Sequence, residues 1–140
     1  MYTKRVLPWV FTISLNSNTK YSVCLTEYKD DELSLLSLYK DKKSNMWYAL
    51  KDAWHYTDIV SVHNNSWIKG KGKALMLSAI RRAKALWKEV RLDCFDWYLS
   101  NFYKSLGFKE IWRDKYNSQY DLNWELAKQF GEVDVVYYAM

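Results

Sequence analysis

At 140 residues, with 49% of them apolar and aromatics at 18%, the chain is long enough to bury one core and too rich in large side chains to stay unfolded. Its 21 Lys and Arg against 16 Asp and Glu leave a formal charge of +5, a modest bias toward anionic partners that fits a phosphate-bearing small molecule or a nucleic acid. Cys24 and Cys94 have neither CxxC spacing nor a Cys/His cluster, which excludes a structural zinc site, and no apolar run approaches the ~20 residues of a membrane span.

These features predict a single domain over residues 1–140, without metal or membrane, in a reducing cytoplasmic setting; the N-terminal ten residues hold no signal-peptide core. Pro8 is the only proline, and neither a repeat nor a linker is visible.

Residues 9–15 satisfy neither the strand nor the helix period and fit a strand or a short buried helix, with 16–19 as a turn. Alternation over 21–26, the charged turn 29–32 and the apolar stretch 33–39 predict an antiparallel hairpin, although Leu33, Leu35, Leu36 and Leu38 would also stripe a helix. Residues 46–53 are ambiguous in the same way. A strand over 55–62 puts Tyr56, Asp58, Val60 and Val62 on one face.

From Lys73 an amphipathic helix follows, with Ser78, Arg81, Arg82, Lys84 and Lys88 on a polar, solvated side and Leu75, Leu77, Ala79, Ile80, Ala83 and Leu86 filling the remainder. Residues 89–95 read as the next strand, so strand, helix and strand form a right-handed parallel crossover. Asp96 is placed to cap a helix whose Leu99, Phe102, Tyr103 and Leu106 share one face, and Gly107 ends it. A strand over 109–116, a short helix capped by Asp121 or Asn123 and ended by Gly131, and a strand over 133–140 close the chain. Strands first, then strands alternating with helices, describe a mixed α/β sheet.

The chemistry concentrates where the basic turn meets the long helix. Gly70 and Gly72 remove side chains from a tight turn, so backbone N–H groups can face a ligand at the positive end of the helix. Lys69, Lys71 and Lys73 surround the same bend and suit a ligand with several phosphates. Two other phosphate loops fail on spacing: a dinucleotide fingerprint needs glycine where Leu75 stands, and a Walker loop needs Ser or Thr after its Gly-Lys.

The run Lys69-Gly70-Lys71-Gly72-Lys73-Ala74 resembles the pyrophosphate loop of the GNAT superfamily of acyl-CoA-dependent N-acyltransferases, usually Gln/Arg-x-x-Gly-x-Gly/Ala, with Lys69 as the departure. The strand before it, the strand through Cys94 and the Tyr-x-x-x-Gly-Phe run from Tyr103 to Phe108 resemble the same family in order, over about the last ninety residues. The resemblance implies a mostly antiparallel central sheet with one splayed parallel pair and flanking helices. It also implies acetyl-CoA as cofactor and direct attack of a primary amine in a ternary complex.

By the same resemblance, Val60, Ser61 and Val62 would pair with the pantetheine arm, and one of their N–H groups would hold the thioester oxygen. Tyr103 would protonate the leaving thiolate, Asp58 would assist deprotonation of the amine, and Asp96 would lie on the coenzyme side. The alternative for Tyr103 is a core tyrosine, and that for Asp58 a charged strand end. His63 reads as a surface loop residue and Cys94 as an inert strand cysteine. Two rivals stay open: a non-catalytic nucleic-acid module using the Arg81, Arg82, Lys84 and Lys88 stripe, and a protein of this fold that binds CoA without activity. The amine acceptor, whether small molecule, protein or RNA, and a homodimeric assembly are also left open.

Overall fold

The computed structural model describes residues 1–18, 25–26, 28–66, 68–121 and 124–140, grouped into two compact units, 1–90 and 91–140. In the first unit, strands β1 (Thr3–Arg5), β2 (Leu36–Asp41), β3 (Met46–Asp52) and β4 (Tyr56–Asn64) pair antiparallel in that order. Helices α1 (Pro8–Asn16), α2 (Asp30–Leu33) and α3 (Gly72–Lys84) accompany them.

Residues 9–15 resolve as helix. Pro8 presets the first turn, and Phe11 and Ser14, three apart, supply the buried face. The charged stretch expected as a turn is the single-turn helix α2, where the Lys29 N–H donates to Glu32 Oε1 at 3.1 Å. That helix explains the mixed leucine pattern: Leu33 is buried at its end, Leu36 and Leu38 are buried in β2, and Leu35 between them is 79% exposed.

The expected hairpin of 21–26 with 33–39 falls largely on residues 21–24, which lie outside the described residues. Of the stretch 33–39, Leu33 closes α2, and Tyr39 pairs with Arg5 on one side and Tyr48 on the other. Most of 21–26, with Cys24, lies outside the described residues, and Leu25 and Thr26 are not in a strand. Strand β1, three residues long, carries too little pattern to be read from sequence.

One sheet face of this unit packs Leu36, Leu38, Trp47 and Ala49 with Phe11, Leu33 and the partly buried Val60. The alternate face holds Tyr48 against α3, with the Tyr48 hydroxyl 3.3 Å from Ser78 Oγ. Each large apolar side chain buried in this way contributes ~2 kcal/mol. The polar stripe expected on α3 is therefore only partly solvated. Ser78 is buried, Arg82 donates to Thr3 Oγ1 at 3.1 Å and to the Thr3 carbonyl at 2.9 Å, and Lys88 beyond the helix binds Asp52 and the Ala53 carbonyl.

In the second unit β7 (Val135–Ala139) pairs antiparallel with both β5 (Glu89–Phe95) and β6 (Lys109–Asp114), which ties the C-terminus into the sheet as expected. Helix α4 is Tyr98–Ser105 and α5 is Glu125–Phe130. Asp121 does cap α5: its carboxylate accepts from Leu126 N at 2.7 Å and Ala127 N at 3.0 Å. Asn123, the other candidate, lies outside the described residues. Among the described residues no helix is long and apolar enough to cross a membrane.

Candidate functional site

The basic bend is built by the short segment before it. Asn64 Oδ1 accepts from Ser66 N at 2.8 Å and Ser66 Oγ at 2.6 Å, while Asn64 Nδ2 donates to the Ile68 carbonyl at 3.0 Å. The chain then turns at Gly70, whose φ of +81° is left-handed, with open space where a Cβ would point. Only Gly70 needs this freedom, because Gly72 is already the first residue of α3.

The start of α3 is left for a ligand. Lys71 stands at the N-cap without a side-chain cap bond, and the first turn holds no acidic residue. Leu75 N reaches the Lys71 carbonyl at 3.1 Å, which makes it the first amide engaged inside the helix. Lys69, Gly70, Lys71, Gly72, Lys73 and Ala74 are all exposed, so three cationic side chains and the uncapped amide end share one surface.

On β4, Asp58 and Val60 share a face and lie opposite Lys51 and Ala49 of β3. Beyond Val60 the register slips. Ser61 and Val62 together face Tyr48, and Ser61 is left-handed at φ +54°. This bulge inverts the alternation and turns His63 inward beside Val60. The expectation of a surface loop histidine is overturned: His63 lies within the strand and is 5% exposed, stacked on Trp47 and edge-on to Phe11. Its Nδ1 donates to the Ser61 carbonyl at 2.7 Å, since a carbonyl only accepts, and its Nε2 lies 2.9 Å from Ser14 Oγ. Burial pulls its pKa down to about 4, against the opposing effect of the Ser61 bond, so the ring is neutral near pH 7.

Among the described residues nothing hydrogen-bonds Ser61 Oγ, although that atom is buried. An orphaned buried hydroxyl on an irregular strand fits a segment that waits for polar atoms of a ligand, as an amide-rich pantetheine would supply. Together with the open Gly70 and the uncapped helix end, it makes this stretch compatible with coenzyme A.

In the second unit Tyr103 is 7% exposed on α4, ringed by Phe102, Phe108 and Tyr138. Burial first, then the neighbouring Cys94, Tyr98 and Asp93, push its phenol well above the ordinary tyrosine value, so it keeps its proton. Cys94 matches the inert reading, its thiol pushed up to about 12 by burial.

Asp96 does not cap α4, whose N-cap is Trp97. Its carboxylate is held instead by Arg113 Nη1 at 2.5 Å, which keeps it below the usual carboxylate range; the same guanidinium reaches Asp134 at 3.2 Å and Glu110 at 2.6 Å.

No family model matches the chain, and no curated protein matches it in sequence. Solved structures do match. An IAA acetyltransferase from Bacillus cereus superposes with a TM-score of 0.71 at 17% identity, covering 99% of this chain and 97% of that one. A Bacillus subtilis acetyltransferase in complex with CoA gives 0.62 at 20% identity over 87% of this chain and 83% of that one. A GNAT family acetyltransferase from Elizabethkingia anophelis with acetyl-CoA bound gives 0.64 at 19% identity over 79% of each chain. The fold of this chain is that of the GNAT acetyltransferases, α/β with a mixed, mostly antiparallel sheet and flanking helices.

Proposed function

We propose that the protein is an N-acetyltransferase that moves the acetyl group of acetyl-CoA to a primary amine by direct attack. The observation that carries this reading is the start of α3, where an uncapped helix end follows a left-handed glycine within a run of three lysines. It is a diphosphate cradle of main-chain donors reinforced by side-chain charge.

Acetyl-CoA supplies an activated thioester. Lys69 to Ala74 would hold its diphosphate, and the irregular main chain at Val60, Ser61 and Val62 would pair with the amides of its arm. An N–H of that segment would stabilise the charge that develops on the acyl oxygen. Asp58 would accept the proton of the amine, directly or through water, and Tyr103, which stays protonated, would donate to the departing sulfur. Asp96, engaged by Arg113, would act on the coenzyme side only by keeping that cluster in place.

Calorimetric titration with CoA, followed by an acetyl-transfer assay over a panel of amines, tests the reading. Micromolar CoA affinity with turnover supports it. Affinity without turnover would leave a CoA-binding protein of this fold, and no affinity would end the proposal. A nucleic-acid module gains nothing from the structure, because Arg82 and Lys88 of its proposed stripe are engaged within the first unit.

A further inference from the structure

The bulge in β4 is held in an uncommon way. Serine has no intrinsic preference for a left-handed φ, and no glycine or asparagine stands at position 61 to make that conformation easy. Something outside the local sequence must hold it. The Ser61 carbonyl accepts the Nδ1 proton of His63, two residues further on, at 2.7 Å. The imidazole cannot swing away from this bond. It lies nearly parallel to Trp47, at 2° with ring centroids 6.1 Å apart, and meets Phe11 at 82° and 5.4 Å. Its far nitrogen lies 2.9 Å from Ser14 Oγ, whose one proton is shared between that nitrogen and the Phe11 carbonyl at 2.7 Å, and Ser14 belongs to α1, whose carbonyl at the same residue is tied to Asn65 Nδ2 at 2.6 Å. Helix, ring and bulge form one chain of contacts that ends on the main chain of residues 60–62.

We infer that His63 is a positioning residue for the coenzyme-binding strand: through its Nδ1 bond to the Ser61 carbonyl it holds the bulge that presents the main chain of Val60, Ser61 and Val62, and it is itself held by Trp47, Phe11 and Ser14. The inference rests on the coenzyme reading above. It assigns the ring no contact with substrate. Its effect is on the direction of the peptide groups beside it, where a small rotation changes which N–H and C=O groups are open to a ligand strand.

Two amide substitutions separate positioning from packing. In His63→Asn the side-chain Nδ2 falls near the place of the imidazole Nδ1 and keeps a donor for Ser61; in His63→Gln the amide nitrogen falls nearer the Nε2 position, keeps Ser14 and loses Ser61. Both lose the aromatic contacts, so both should melt at a similarly lowered temperature. Calorimetric affinity for coenzyme A should then fall about tenfold in His63→Gln and stay within about threefold of the unaltered chain in His63→Asn. Equal affinities in the two variants would overturn the role.

A measurement on the unaltered chain without coenzyme stands apart from the binding assay. Nitrogen-15 NMR should show His63 protonated on Nδ1 and not on Nε2 at pH 7. A ring protonated on Nε2 would overturn the inference even if CoA binds, and absence of CoA affinity alongside the expected tautomer would locate the failure in the coenzyme reading, taking the ligand-positioning role with it.

Discussion

Tyr103 and Phe108 are joined twice: the Phe108 N–H donates to the Tyr103 carbonyl at 3.3 Å, and their rings meet edge to face at 6.2 Å. With Gly107 N bonded to the Lys104 carbonyl at 3.1 Å, this is a Schellman stop, in which the residue after the glycine reaches back over the last turn. The Tyr-x-x-x-Gly-Phe run is thus a helix terminus that fixes the tyrosine from both backbone and ring. Gly107 adopts φ +103°, and an added Cβ would sit 3.3 Å from Met140 Cε. Gly107→Ala should cost ~1–2 kcal/mol, read as a lowered urea midpoint with unchanged slope.

Tyr103→Phe keeps that terminus and the three ring contacts and removes only the hydroxyl. CoA affinity should be unchanged while the rate of acetyl transfer falls ~100-fold or more. Unaltered turnover in this variant would remove Tyr103 from the chemistry and leave it as a core residue.

His63 makes stability pH-dependent. Its pKa is about 4 in the fold and 6.5 in the unfolded chain, so between those values the unfolded state takes up the proton first and folding is opposed as pH falls. The contribution is complete above pH 6.5 and shrinks by ~3 kcal/mol on going down to about pH 4. Phe11, Ser14 and Trp47, packed against the ring, carry no group that titrates there. Urea unfolding at pH 7, 5.5 and 4.5 should show this loss, and His63→Gln should flatten it.

Arg81 and Arg82 are neighbours in sequence with different duties. Arg82 grips Thr3 by two hydrogen bonds and lies 4.4 Å from the Tyr39 ring centroid, which fastens β1 to α3, while Arg81 is exposed on the helix. Arg82→Ala should destabilise by ~2 kcal/mol and Arg81→Ala by less than ~0.5 kcal/mol, measured by thermal unfolding.

The features legible in the sequence are those encoded within a few residues. The glycine bend, the body of α3, the stop at Gly107 and the C-terminal strand follow from turn chemistry and period alone. What escaped depends on distant partners. No pattern at positions 3–5 announces β1, whose existence depends on the free edge of β2. Helical periodicity puts Arg82 on a polar face without showing that Thr3 waits there. Asp96 has the right type and place for a cap, but Arg113, seventeen residues on, competes for its carboxylate. The inward turn of His63 had no local signal at all, because Ser61 is an ordinary residue for an extended strand.

That one supernumerary residue is separable from the packing on either side of it. Deleting Ser61 would restore simple alternation without exchanging a face: Val60 would stay opposite Ala49, Val62 would meet Tyr48, and His63 would stay opposite Trp47. Losing one codon there would spare the interior and straighten only the main chain along the strand.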